Sequence, residues 1–146
     1  EKKKTEIRKI KIGLIFQQFY LIPNYTALEN VMFPMQINKI DDEEKKANTI
    51  LSEIGLDHRK YNLPSELSGG EQQRVAIARA ISFDPEVILA DEPTGNLDKK
   101  NTELVSNLLL DYTYKKKISL ILVTHNMNLA KKCDRIVKLV DGFIRA

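Results

Sequence analysis

Apolar positions along the chain change their spacing near its middle. Residues 10–16, Ile-Lys-Ile-Gly-Leu-Ile-Phe, predict a strand whose apolar run thickens toward its end. Gln17 and Gln18 follow, then a loop holding Pro23 and Asn24. Residues 26–36 predict a helix with Thr26 as N-cap and Glu29 at its third position, the arrangement of a reciprocal capping box, with Pro34 limiting or kinking it. Asp41 and Glu44 repeat that spacing, and Ala47, Ile50, Leu51 and Ile54 follow on one helical face before Gly55, a C-terminal stop. After a loop-like stretch over 58–64, a third helix is expected from Ser68 to about Ser82, ending before Asp84-Pro85.

Beyond residue 86 short continuous apolar runs alternate with helical stripes. Residues 87–90 and 118–123 predict buried-type strands, and 136–140 a third. Between them lie a stripe of Leu104, Val105, Leu108, Leu109 and Tyr112 and a short helix over 127–132; Asp141-Gly142 makes a hairpin turn into Phe143-Ile144. Strands alternating with helices imply an α/β fold with a parallel sheet covered on both faces. The helices between 26 and 82 then form a subdomain inserted after the first strand. The chain shows no internal repeat and no low-complexity tract.

Composition narrows the class. The 146 residues suit one modest domain, and 42% apolar with 29% charged residues is the balance of a globular protein. A net charge of +3 is too small to point to nucleic acid. The densest basic run, Lys2, Lys3, Lys4, Arg8, Lys9 and Lys11, reads as a solvated segment or linker. Cys133 is the single cysteine, so no internal disulfide forms and a reducing compartment fits. No apolar run approaches the ~18 residues a spanning helix needs, so any membrane role is expected to come through a partner.

Three segments carry candidate chemistry. Ser68 can cap a helix while Glu71 returns a bond to the Ser68 N–H, and Gly69 and Gly70, lacking Cβ, leave first-turn amides open to an anion. An ordinary capped helix after a glycine turn has the same features. Asp91 and Glu92 end an apolar strand, where hard oxygens meet a metal or ligand at the carboxyl end of a parallel sheet; two solvated acids in a turn fit equally. His125 follows the strand over 118–123 and Thr124, where a lone histidine is usually structural or exposed. His58 has no such setting and reads as a surface residue.

In combination the strings are specific. Leu67-Ser68-Gly69-Gly70-Glu71-Gln72 with the helix that follows resembles the ABC signature almost letter for letter, and Val87-Ile88-Leu89-Ala90-Asp91-Glu92 resembles a Walker B motif. Gly95 to Asp98 looks like the D-loop, His125 like the H-loop histidine, and Gln17 like the Q-loop glutamine, with Gln18 the adjacent alternative. The resemblance runs from about Ile10 to Ile144, and within the family is most like the lipoprotein-releasing and macrolide-exporter subgroup. It implies an ATP-binding, ATP-hydrolysing subunit powering an ABC transporter, with ATP and Mg²⁺ as cofactors. It further implies that Glu92 and His125 are catalytic and that Asp91 and Gln17 serve the metal. Gln17, Ser68, Gly69, Gly70, Glu71 and Asp98 would bind nucleotide, Asp98 also serving as the N-cap of the next helix. The implied partners are a second ATPase subunit, in a homodimer, and transmembrane permease subunits docked on the region after Gln17, where Phe19, Tyr20, Leu21 and Ile22 are candidate anchors. The implied location is cytoplasmic, on the inner face of the cell membrane.

Residues 1–146 are thus expected to form one truncated ABC ATPase domain: 10–18 the Q-loop strand, 26–82 the helical subdomain with the signature, 83–146 the Walker B, D-loop and H-loop part of the core. None of the six glycines, at 13, 55, 69, 70, 95 and 142, opens a G-x-x-x-x-G-K-[ST] phosphate loop. The 146 residues alone are therefore expected neither to bind ATP usefully nor to hydrolyse it. In the family's strand order the phosphate-loop strand lies between the strand before His125 and that near 136–140, so the sheet is expected to be interrupted there. Soluble ABC ATPases of DNA repair share the signature but place coiled coils between Q-loop and signature. Here only 51 positions separate Gln17 from Ser68, without heptads. Ribosome-acting ABC factors usually carry Asn-His where this chain has Gly95-Asn96. A non-hydrolysing interaction module suits the missing loop but not the retained Glu92 and His125.

Overall fold

The computed structural model describes residues 2–145. The chain runs α1 (Lys2–Lys11), β1 (Ile12–Phe16), α2 (Ala27–Ile37), α3 (Glu43–Glu53), α4 (Gly69–Ile81), β2 (Val87–Asp91), α5 (Lys99–Lys116), β3 (Ser119–Val123), α6 (Met127–Ala130), β4 (Lys138–Val140) and β5 (Phe143–Arg145). Two short 3₁₀ turns, Asp57–Arg59 and Pro64–Glu66, shape the stretch read as loop. The fold is α/β, with a three-stranded parallel sheet ordered β1-β2-β3.

Local signals hold well. Thr26 caps α2 with both halves of the box formed, Ser68 does the same for α4, and Pro34 lies inside α2 without ending it. Ala47, Ile50, Leu51 and Ile54 are buried, and Gly55 takes φ +72° after α3. Asp141 and Gly142, at φ +50° and +79°, turn β4 into antiparallel β5. Helices α2, α3 and α4 pack together, and α4 also lies on β1 and α5. At Gly13 a Cβ would stand 2.5 Å from the Ala80 carbonyl oxygen, so the missing side chain sets how closely strand and helix approach.

Six expectations are corrected. The first strand begins at Ile12, not residue 10, because the basic run forms helix α1 up to Lys11; charged residues with Ile7 and Ile10 three apart suit a helical face better than a pleat. The Asp41–Glu44 box does not form. Asp42, left-handed at φ +57°, takes the N-cap position of α3 without a side-chain bond, which moves the helix start one residue on. Leu104 is 40% exposed, so the α5 stripe narrows to Val105 and Leu109, with Leu108 and Tyr112 alongside. The helix near 127 ends at Ala130, and the strand expected over 136–140 is Lys138–Val140.

The sixth correction concerns the sheet. Its residues alternate by face as the pleat requires. Gly13, Ile15, Ile88, Ala90, Leu120 and Leu122 face the helices, whereas Leu14, Phe16, Ile121 and Val123 are exposed on the other side. Among the described residues one face is covered and the other is open. β3 stands last in the order β1-β2-β3, an edge strand rather than a buried one, and β4-β5 forms a separate two-stranded hairpin. β3 and β4 do not pair, so the sheet is interrupted between them, as expected from the sequence.

Candidate functional site

Helix α4 begins with a tightly bonded cap. The Ser68 N–H and hydroxyl both donate to Glu71 Oε2 at 2.8 Å, and Ser68 Oγ accepts the Glu71 N–H at 3.3 Å. Arg59 Nε lies 3.3 Å from Glu71 Oε1. The Ser68 N–H bond, helped by the hydroxyl and by Arg59 and Arg74, holds the Glu71 carboxyl below its ordinary range. Gly70 is buried against the Asn101 side chain, where any Cβ would collide with the amide. Asn101 is itself fixed by Asp98, whose carboxylate accepts the Asn101 N–H at 2.9 Å and side-chain N–H at 2.6 Å. These two bonds lower the Asp98 pKa, and Asp98 is the N-cap of α5.

The parallel sheet brings the other candidates to one end. Phe16, Asp91 and Val123 are register partners, so Gln17, Glu92 and Thr124-His125 all leave the carboxyl ends of adjacent strands. Glu92 has φ +45° and its N–H donates to the Val123 carbonyl at 2.9 Å. Its Oε1 accepts the His125 backbone N–H at 2.7 Å and lies 3.3 Å from His125 Nε2; Thr124 Oγ1 donates to Oε2 at 3.3 Å. Glu92 is mostly enclosed, with 15% of its side chain accessible, while the His125 ring is 96% accessible. Asp91 is exposed and its carboxylate makes no hydrogen bond within the described residues.

Gln17 is joined to the loop after β2 by two bonds. Its Nε2 donates to Asn96 Oδ1 at 2.9 Å, and Asn96 Nδ2 donates to the Gln17 carbonyl at 3.1 Å. Gly95 permits this: a Cβ there would come within 2.8 Å of Gln17 Nε2. The structure therefore gathers Gln17, Asp91, Glu92, His125 and Asp98 around residues 91–98, with Ser68, Gly69, Gly70 and Glu71 reaching that loop through Asn101 and Leu97, the latter 3.8 Å from where a Gly69 Cβ would stand. Gln18 is exposed. Tyr20, at φ +44° and 62% exposed, and Phe19 lead away from Gln17; Leu21 packs on the core. His58 lies on a 3₁₀ turn. Cys133 lies beyond α6, its thiol pushed up by burial and by Asp134.

The supporting roles of four residues escaped the sequence reading. Gln73 is fully buried, its Nε2 donating to the Pro93 carbonyl at 2.7 Å and the Phe16 carbonyl at 3.3 Å. Arg79 donates to the Tyr20 carbonyl at 2.6 Å and the Phe19 carbonyl at 3.0 Å, and burial lowers its pKa. Asn30, also buried, bonds Ile22, Tyr25 and Thr26, and Asn96 holds Gln17. Only Gln73 carried a usable signal, a polar residue four positions before Ile77 on the apolar face of α4.

Known proteins resemble this chain over most of its length. The family described as "ABC transporter" matches residues 1–95. The lipoprotein-releasing system ATP-binding protein LolD of Rickettsia typhi is 49% identical over 145 residues, which are 98% of this chain and 66% of that protein. LolD of Nitrobacter winogradskyi is 48% identical over 143 residues, covering 97% of this chain and 62% of its own. Among solved structures, the dimeric form of MJ0796, a bacterial ABC transporter cassette, superposes with a TM-score of 0.87 at 41% identity, over 100% of this chain and 66% of that one. A post-hydrolysis state of the same cassette, bound to ADP and Pi, gives 0.87 at 40% identity with the same coverage. The chain spans somewhat less than two thirds of the length of these relatives.

Proposed function

The chain belongs to the ABC transporter family, and on that premise we propose that it is part of an ATP-binding, ATP-hydrolysing subunit powering a transporter that extracts or exports lipoproteins or lipids. The observation that carries this reading is the Glu92 carboxylate, held by the Thr124 hydroxyl and the His125 backbone N–H at the carboxyl end of a parallel sheet, beside the Asp91 carboxylate, which makes no bond among the described residues. In that setting Glu92 orients and deprotonates the attacking water, and His125 Nε2 hydrogen-bonds the terminal phosphate. The open amides at the start of α4, with Ser68, Gly69 and Gly70, receive phosphate oxygens of the nucleotide held by a second copy, favoured by the helix dipole. Asp98 and its loop lie at the contact between the two copies.

The donors suit Mg²⁺. Asp91 offers a carboxylate without an internal bond, and Gln17, its amide nitrogen engaged with Asn96, keeps Oε1 available. Hard oxygens in this number fit a cation that arrives with nucleotide phosphates and takes only one or two protein ligands. No group of three or more His, Cys, Asp or Glu side chains able to hold a metal occurs among the described residues. When bound, the ion neutralises phosphate charge during transfer.

Among the described residues no helix is long and apolar enough to cross a membrane. We place the subunit on the cytoplasmic side, docked on permease subunits through residues 19–22, with Tyr20 as the exposed anchor and Arg79 fixing its carbonyl. The decisive experiment is Glu92→Gln in the intact subunit. ATP turnover should fall at least about 100-fold while nucleotide binding persists. Turnover within about twofold of the natural subunit would sink the assignment.

A further inference from the structure

We infer that Gln73 is a positioning residue that ties the signature helix to both strand ends bearing the reacting groups; this rests on the proposed ATPase function. Gln73 lies three residues beyond Gly70 in α4, with none of its surface exposed. The two carbonyls its amide serves sit at telling places. Phe16 immediately precedes Gln17, and Pro93 immediately follows Glu92. One NH₂ group thus fixes the spacing between the chain entering the metal-side glutamine and the chain leaving the catalytic acid. It does so from the helix whose N-terminus faces the other copy's nucleotide.

Packing alone does not explain an amide here. Gln73 Oε1 is buried without a partner among the described residues, so an apolar side chain of equal length would avoid an orphaned acceptor. What the amide adds is a nitrogen with two donors in one plane, matched to two acceptors from segments 77 positions apart in sequence. Asparagine is too short to reach from the same backbone position, and lysine would bury a charge. Movement of α4 on closure of the two copies is therefore passed to Phe16-Gln17 and Glu92-Pro93 together, in place of two loosely hinged loops.

The test uses the intact subunit with Gln73→Met, which keeps the volume and removes both donors, and Gln73→Glu, which restores one donor only when protonated. Gln73→Met should lower kcat at least about tenfold with nucleotide affinity within about twofold, because misplaced groups lose rate more than binding. Backbone amide exchange at Gln17 and Glu92 should quicken in Gln73→Met. The kcat ratio of Gln73→Glu to the natural protein should climb as pH is lowered, since burial keeps the new carboxyl protonated into the neutral range. A lowered Tm with kcat within about twofold, unchanged exchange at Gln17 and Glu92 and a flat pH ratio would overturn the inference. If Gln73→Met does not fold, the Gln73→Glu pH series decides. A natural subunit without Glu92-dependent ATPase would instead strike the functional reading, leaving amide exchange to judge the link itself.

Discussion

Glu71 closes the first turn of α4 with a carboxylate that takes two bonds from Ser68, and its pKa falls below the ordinary 4.5 as a result. A carboxyl whose folded pKa is depressed adds stability above its unfolded value, and that stability is lost as pH falls through the folded one. Glu29 in the α2 cap is lowered by the same kind of bond, to Thr26. Glu71→Gln should therefore lower the Tm near neutrality and shrink its fall between about pH 5 and pH 3; melts across that range with unchanged slope would count against the assignment. Gly70 makes a second prediction. Adding a methyl against Asn101 should destabilise by about 1–3 kcal/mol, and Asn101→Gly in the same chain should recover part of that loss in a denaturant titration. Both caps were legible because their partners lie three residues apart. The Gly70–Asn101 contact and the long reach of Gln73 were not, since no local pattern records a partner across the fold.

Between the elements, the segment from Phe19 to Thr26 has one internal turn bond, Tyr25 N–H to the Ile22 carbonyl at 3.1 Å, and is otherwise held by side chains of two helices. Arg79 of α4 binds two of its carbonyls, and Asn30 of α2 binds Ile22 through both its N–H and its carbonyl, together with the Tyr25 and Thr26 carbonyls. Asn30→Leu removes four bonds while filling the same space, so we expect a loss of about 2–4 kcal/mol and faster proteolysis near Tyr20 and Tyr25. Equal cleavage rates in the two proteins would argue that Arg79 alone suffices. Sequence pattern gave the helices that flank this segment, because their apolar faces repeat, but it mistook α1 for a solvated linker and the start of a strand. Ile7 and Ile10 are 44% and 50% exposed, so no buried stripe marked that helix. Asp42 shows the opposite failure: the acidic spacing was right for a cap, and a left-handed backbone moved the start of α3 by one residue.

At the scale of the molecule, β3 has the sequence of an interior strand and the position of an outer one. Ile121 and Val123 are 59% and 57% exposed, next to Leu14 and Phe16 on the same open face. Sequence could report that both faces of these strands are apolar but not which neighbours cover them, since that depends on contacts outside the strand. Such a strand invites pairing with another chain. Ile121→Lys should reduce self-association of the 146-residue chain, read as a lower weight-average mass in sedimentation at rising concentration, with little change in helix content. A mass unaffected by the substitution would clear β3 of the role. The form of that association follows from strand direction. β1 and β3 are the two margins of a sheet whose strands all run the same way, so they are not related by a two-fold axis. When a third copy can always add to the margin the second leaves bare, the series has no natural end. Aggregation along these margins should therefore show a continuous ladder of sizes rather than one discrete two-copy species.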